Sequence, residues 1–541
     1  MSKRFLWAAL VGALAVTAIA GSSTAMTGKT DGSNAAQVLK MSIGSEPPSL
    51  DPGLATDTTS SNIILNIMDP LVKLGKPPAL NAVPAAAASW KIRGAVVTLN
   101  LRKSVRWTNG QPVTAKDYVY GWLRTISPEL GADYAYQFEG IKGAKEYTAC
   151  DPKKADCNAL RARVGVKAVG KYTLRVTLVS PQPWFIQQIS HHSFLPQHKA
   201  TIDRYGSKWT EPQNIVTNGP FKLASWKHDA SITLVKNTKW RNAKSVKLIR
   251  VEHQIIVDAT TAENAFSAKN IDVQTTGVAS VNIPKWKKTR YWKTFKALGT
   301  YYYGFNTKNI PDANQRRAMA ISIDRSQIVK YITKSGQIPA KGFTPIGIAG
   351  GPSILSQSTM PATAQLSKAK AALAKARNPK RSIRLYHNNA PNHVKIATAV
   401  QNFWKQLGLD VTIRPMEWKQ YLQFLGPPPN ADVDVYRLGW IYDFPDAYNG
   451  LVLWKCDSGN NNTNWCNRKF DSLIDKATRT PNTAKRIALY KQAENILTGP
   501  QGQLPIMPIY YYAFNMLQRE NVKGFVENPT GQWDLAKVSI R

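Results

Sequence analysis

Residues 390–414 read Ala390-Pro-Asn-His-Val-Lys-Ile-Ala-Thr-Ala-Val-Gln-Asn-Phe-Trp-Lys-Gln-Leu-Gly408-Leu-Asp-Val-Thr-Ile-Arg414. Apolar periodicity predicts a helix over Ala390 to Leu407, with Gly408 placed to terminate it. A strand is expected at Asp410 to Arg414, and a second at Asp432 to Leu438. Helix, glycine stop and strand in this order assign a mixed α/β class, without a regular βαβ repeat along the rest of the chain.

Working outward, strands are expected at Val38 to Ile43, 96–101 and 172–178, the last with Leu174, Val176 and Leu178 facing one way. Helices are expected at Ser60 to Val72, Gln315 to Thr333, Ser367 to Ala376 and Thr483 to Leu497. Asn109-Gly110 is a hairpin-type turn. Thr114-Ala-Lys-Asp117 reads as a capping box opening a helix that carries Tyr118, Val119, Trp122, Leu123 and Ile126. Gly347 to Gly351 and Gly426 to Pro429 read as loops.

The chain has 541 residues, 43% of them hydrophobic, and 16 Trp. That length suits two or three lobes, and the aromatic content argues against disorder. Lys3 and Arg4 precede an uncharged apolar run, Phe5 to Ala20, followed by small residues. This is the pattern of a secretory signal over 1–20, with 21–36 as a small, polar, flexible tether. The alternative is an uncleaved anchor that would retain the protein at the membrane. Ile19-Ala20-Gly21-Ser22 resembles a lipoprotein processing box with Ser22 in place of the lipid-bearing Cys, so no thioether-linked lipid forms there. The expectation is an exported protein, periplasmic or at the cell surface.

Four cysteines allow three pairings. An exported chain keeps disulfides, and the two local pairs, Cys150–Cys157 and Cys456–Cys466, are the expected ones. Zinc needs C-x-x-C-type spacing, which is absent. The formal net charge is +37, but the basic residues are spread along the chain. The densest run, Lys368 to Arg384, reads as a solvated helix face. Nucleic acid is therefore not an expected partner; anionic wall polymer or lipid headgroups suit the charge better.

No nucleophile elbow, phosphate-binding loop or zinc-protease motif is present, and the glycines at 347, 350 and 351 make no dinucleotide fingerprint. His191, His192 and His198 lie close in sequence, but no carboxylate or Cys completes a metal set. They read as ordinary surface or cleft histidines. Asp432, Asp434, Asp443 and Asp446 would make a hydrolase only if two of them faced one substrate.

Several segments together resemble the oligopeptide- and dipeptide-binding proteins, the extracytoplasmic solute-binding receptors (family 5) of bacterial ABC peptide importers. They are Ser45-Glu-Pro-Pro-Ser-Leu-Asp-Pro52, Pro112-Val-Thr-Ala-Lys-Asp-Tyr-Val-Tyr-Gly-Trp122 and Lys208-Trp-Thr-Glu-Pro-Gln-Asn-Ile-Val-Thr-Asn-Gly-Pro-Phe221. Thr300-Tyr-Tyr-Tyr-Gly-Phe-Asn306 and Arg437-Leu-Gly-Trp-Ile-Tyr-Asp443 complete the set, and Trp465-Cys466 with Phe470-Asp471 is similar to the dipeptide branch. Each match is short, but they run in family order from about residue 40 to 530.

The resemblance implies an α/β, periplasmic-binding-protein-like fold: two lobes with a ligand cleft between them and an extra third domain. Lobe I would take 37–70, 194–297 and 506–541, the extra domain 71–193, and lobe II 298–505. It implies a monomer without cofactor or catalysis, which binds short peptides and hands them to the membrane permease of an ABC importer. Asp443 matches the anchor for the peptide α-ammonium, and otherwise reads as a turn-capping Asp. Gly439 and Ile441 match main-chain pairing positions, with Trp440 between them. Asn218 and Gly219 match a contribution from lobe I, and Thr58 another. Arg437 matches a basic position for the ligand carboxylate and His393 falls near a second; both could instead be structural. A further family arginine is missing where Gln423 to Asn430 stand, which leaves the preferred length open. Competing readings are a same-fold receptor for a nickel complex or an oligosaccharide, and a basic cell-wall-associated binding protein.

Overall fold

The computed structural model describes residues 36–77, 79–154, 156–348, 360–426 and 428–541. The expected signal and tether lie outside these residues, Ala36 excepted, as does much of the loop at 347–351. Residues 37–541 form one compact unit.

Its backbone is an eleven-stranded mixed sheet. From one edge the order is Asp410–Met416, Ser382–Asn388, Val435–Ile441, Trp292–Phe305, Ile506–Gln518, Val273–Gln274, Val38–Ile43, Arg250–Ile255, Ser231–Lys236 and Phe221–Lys227, with Ile338–Pro339 pairing Ile506–Gln518 off this path. The stretch that assigned the class is a crossover. Helix Pro391–Lys405 joins the parallel strands Ser382–Asn388 and Asp410–Met416, and parallel neighbours require such a connection. Gly408 closes the helix with φ +72°, a conformation cheap only for glycine.

Two lobes grow on the two ends of this sheet. Trp292–Phe305 and Ile506–Gln518 are long enough, at 14 and 13 residues, to run through both. Their ladder is regular from Trp292 to Lys296 and breaks between Lys296 and Thr300. A separate four-stranded sheet, Ala87–Arg93, Val96–Leu101, Thr173–Thr177 and Val166–Gly170, carries helix Ala115–Thr125. That helix starts at the expected capping box: Asp117 accepts from the Thr114 amide at 2.7 Å. Asn109-Gly110 turns the chain back, with Arg106 bridged to Pro112. Both expected disulfides, Cys150–Cys157 and Cys456–Cys466, are formed.

Three expected elements differ. Helix Thr58–Ile67 stops short of Val72, because Gly219 packs its backbone against Ile67 and Met68 and Val72–Leu74 pairs with Ala82–Pro84. The helix expected over Gln315 to Thr333 is broken after Ile321. There Asp324 caps a new turn at Gln327, and the fully buried Arg325 draws the carbonyls of Ala320, Ile323 and Pro508 around its guanidinium. The strand expected at Asp432 to Leu438 runs instead at Val435–Ile441. Its first residues turn at Asn430, and Asp434 is taken by Lys380 and Arg384 at 2.7 and 3.1 Å.

Segments distant in sequence meet through charges. Lys455, only 5% exposed, lies 3.1 Å from Glu139 and 3.0 Å from Asp475, and Lys145 lies 2.8 Å from Asp457. Lys455 and Asp475 are near in sequence, whereas Glu139 lies 316 residues from Lys455. With 71–193 as a separate domain, as the resemblance implies, lobe opening would break the Glu139 contact and leave the Asp475 contact intact. Glu139→Gln is expected to weaken closure by about 1 kcal/mol, roughly fivefold in apparent ligand affinity. Calorimetry checks this; equal affinities for both proteins would show that the contact does not hold the closed form.

Candidate binding cleft

The second-lobe strand Val435–Ile441 is paired along its whole length on one side, with Trp292–Phe305. On the other side its ladder partner Ser382–Asn388 meets it only at Val435 and Tyr436. From Arg437 to Ile441 that edge carries no ladder among the described residues, although the Arg437 carbonyl accepts from the Tyr421 hydroxyl at 2.6 Å. Backbone N–H and C=O groups are obligatory hydrogen-bonding groups, so this bare edge faces a cavity of about 230 Å³ between the lobes.

Side chains alternate along a strand, so Arg437, Gly439, Ile441 and, one step beyond the strand, Asp443 fall on one side. All four line the cleft, with Trp440 and, from the first lobe, Thr58. Gly439 has no room for a side chain, because a Cβ there would lie 2.1 Å from the Tyr512 hydroxyl. That hydroxyl accepts from the Arg437 guanidinium at 2.7 Å. The other guanidinium contacts are Asn388 Oδ1 at 3.0 Å and the Tyr301 ring at 4.3 Å. Burial opposes the charge of Arg437, yet the surrounding phenols of Tyr512, Tyr301 and Tyr510 keep it protonated, with a net upward shift. Among the described residues no carboxylate pairs with it.

Asp443 is the complement at the other end. It is 9% exposed and accepts from Gln137 Nε2 at 2.9 Å and Asn449 Nδ2 at 2.8 Å. His191 Nε2 lies 3.3 Å away. The Ser193 amide donates to His191 Nδ1, which places the imidazole proton on Nε2, toward Asp443. His192 is fixed likewise: Nε2 donates to the Ala55 carbonyl at 2.8 Å. Burial pushes both histidines down to about 3, so both are neutral at ordinary pH. Burial pushes Asp443 up to about 6, against its hydrogen bonds from Asn449 and Gln137 and the field of His192. The carboxylate is thus surrounded by neutral donors and lacks a cationic partner.

The remaining expected site residues separate from this group. Asn218 is fully buried and its Oδ1 accepts from the Asp69 amide. With Gly219 it joins the turn to the helix end, and neither lines the cleft. His393 sits beside Tyr301, Nδ1 3.4 Å from the hydroxyl, behind Arg437; burial, then that cation, holds it well below the usual histidine range. The other Asp candidates are occupied structurally: Asp432 and Asp434 pair with Arg384, and Asp446 pairs with Arg486 at 3.2 Å. Only Asp443 of the four reaches the cleft. Sequence reading missed Tyr134, Gln137, Asp57, Trp418 and Tyr512. Asp57 caps helix Thr58–Ile67 and is approached across the opening by Trp418. Of the residues around Asp443 outside the motif, only the His191-His192 doublet left a visible signal, as polar residues in an apolar run.

A family model described as "Bacterial extracellular solute-binding proteins, family 5 Middle" matches residues 81–462. Oligopeptide-binding protein OppA of Bacillus subtilis is 32% identical over 536 residues, 96% of this chain and 95% of that protein. The solved murein tripeptide binding protein MppA of Escherichia coli superposes with a TM-score of 0.86 at 29% identity, covering 94% of this chain and 99% of that one. OppA of Haemophilus influenzae in complex with RPPGFSPFR gives 0.85 at 28% identity, with the same coverage. MppA in its unliganded open form superposes less closely, with a TM-score of 0.64. Fold, ordered motifs and these likenesses agree: the chain belongs to the bacterial extracellular solute-binding proteins, family 5.

Proposed function

We propose that this protein captures short peptides outside the cytoplasm, delivers them to an ABC import permease, works as a monomer and performs no catalysis. The observation that carries the reading is the unladdered strand edge Leu438 to Ile441 between one cation and one anion that have no charged partner among the described residues. A peptide main chain can extend such an edge whatever its sequence. Its α-ammonium suits Asp443 and its carboxylate suits Arg437, each as a charge-assisted hydrogen bond. Six residues of extended chain span about 20 Å, so a ligand held at both ends has at most about six residues. The 230 Å³ enclosed here lies below the usual range of roughly 300–1,000 Å³ for ligand pockets, which favours the short end. Neither a sugar nor a nickel complex explains the paired terminal charges.

For the layout we propose the segments 37–70, 194–297 and 506–541 for lobe I, 71–193 for the third domain and 298–505 for lobe II. The ladder break between Lys296 and Thr300 supports a crossover at 297/298, and the partner strand, which pairs with Thr300 to Gly304 over Ile506 to Tyr511 and with Trp292 to Lys296 over Ala513 to Leu517, changes lobes at the same level.

Mass spectrometry of material copurifying with the protein tests the function: short peptides are expected, and a sugar or metal complex would overturn it. Arg437→Gln separates the two ends. Short free-acid peptides should lose about 1.5–3 kcal/mol of binding, while their C-terminal amides should lose little. Equal losses for acid and amide would show that Arg437 does not meet the carboxylate.

A further inference from the structure

A cavity of about 670 Å³ lies outside the cleft, nearly three times its enclosed volume. Its wall is apolar: Leu65, Leu74, Val83, Val526 and Trp533, of which Val83 and Val526 remain 42% and 55% exposed. Charge gathers among the lining residues. Lys73 and Lys537 share one carboxylate, that of Asp534, at 3.1 and 2.9 Å. Lys76, also in the lining, makes no ion pair with a described residue. Three ammonium groups thus face one anion beside an apolar space of ordinary ligand size. The two spaces adjoin. Helix Thr58–Ile67 gives Ser61 to the cleft and Leu65 to the cavity, Gln532 lines both, and Ser190 precedes His191 in the chain.

We propose that this cavity is a second binding site, for an amphipathic carboxylate with an apolar tail, and that it is separate from the peptide cleft. The tail removes the exposed surface of Val83 and Val526 from water, and the carboxylate supplies the anion that three lysines share with Asp534 alone. An uncharged tail gains only the first term, and a cationic head is repelled. The inference does not rest on peptide being the ligand of the cleft.

The probe is decanoate, titrated into peptide-free full-length protein by calorimetry below its micellar range, beside decanol and decyltrimethylammonium. Decanoate should bind saturably, one per chain, and about tenfold or more tighter than decanol. It should protect amides of 70–77 and 524–537 from hydrogen exchange, and a saturating tripeptide should not displace it. The double variant K76E/K537E should weaken decanoate about tenfold while leaving tripeptide affinity nearly unchanged. Mapping protection on the unaltered protein keeps the proposal testable should that variant not fold. Several results would overturn it: decanol binding as tightly, no saturable binding, protection spread over surface lysines, or one-for-one displacement by tripeptide with protection at 437–443.

Discussion

Asp443→Asn is expected to lower the affinity for free-amine peptides by about two to three and a half decades. Closure strips water from the ligand α-ammonium, which is tolerable only against a positioned anion. Breaking a buried, hydrogen-bonded charge pair costs about 3–5 kcal/mol. The substitution preserves shape, and Gln137 and Asn449, which both donate to one carboxylate oxygen at 2.9 and 2.8 Å, can donate in the same way to the amide oxygen that replaces it. The loss should therefore report charge rather than a collapsed site. N-acetylation of the peptide removes the same interaction from the other side, so the two changes should be strongly non-additive. Calorimetry on the four combinations measures this. If Asp443→Asn binds free-amine peptides as tightly as the unaltered protein does, the ammonium is held elsewhere.

Affinity should also fall as pH is lowered through about 6. With the lobes packed as here, burial raises the Asp443 carboxyl to about 6. Below that pH the enclosed carboxyl holds a proton that must leave before the ammonium can pair. The α-ammonium itself, with an ordinary pKa near 8, stays charged. Binding therefore releases a proton in this window, and affinity drops about tenfold per pH unit until the bound-state pKa is reached. Between pH 7 and pH 4 the expected loss is on the order of a hundredfold. The charged and titratable groups facing Asp443 do not blur it: His191 and His192 stay neutral until about pH 3, and burial raises the Tyr134 phenol far above neutrality. Asp443→Asn should show no such slope, and neither should N-acetylated peptide. A profile unchanged in Asp443→Asn would assign the titration to another group, with Asp57, itself raised by burial, the first to examine.

Arg437 and Asp443 show why part of the candidate cleft was readable beforehand. They belong to one seven-residue stretch, and a strand places alternate residues on one side by covalent geometry alone. Local order thus carried the two charges, the glycine between them and the strand that holds them. The contributions that cross between segments were not readable that way. Gln137 lies 306 residues from Asp443, and Tyr512 lies 75 from Arg437. No local pattern distinguishes them from other buried polar or aromatic residues. Asn218 and Gly219 illustrate the opposite case: a motif was recognised, and its glycine here makes the close approach of two backbones.

The α/β class, the capping box at Thr114, the crossover helix ended by Gly408 and the two local cysteine pairs came from the sequence by itself, because each depends on interactions over a few residues. The broken helix after Ile321, the shift of the strand to Val435–Ile441, the neutral state of His191 and His192 and the isolation of Asp443 from any cation were decided by tertiary structure alone. In each case burial set the outcome. Arg325 breaks a helix because its guanidinium is enclosed and must collect carbonyls. Asp443 waits unpaired because the fold surrounds it with donors that carry no charge. Desolvation depends on what distant segments bring to a position, and that is settled only when the chain has closed around it.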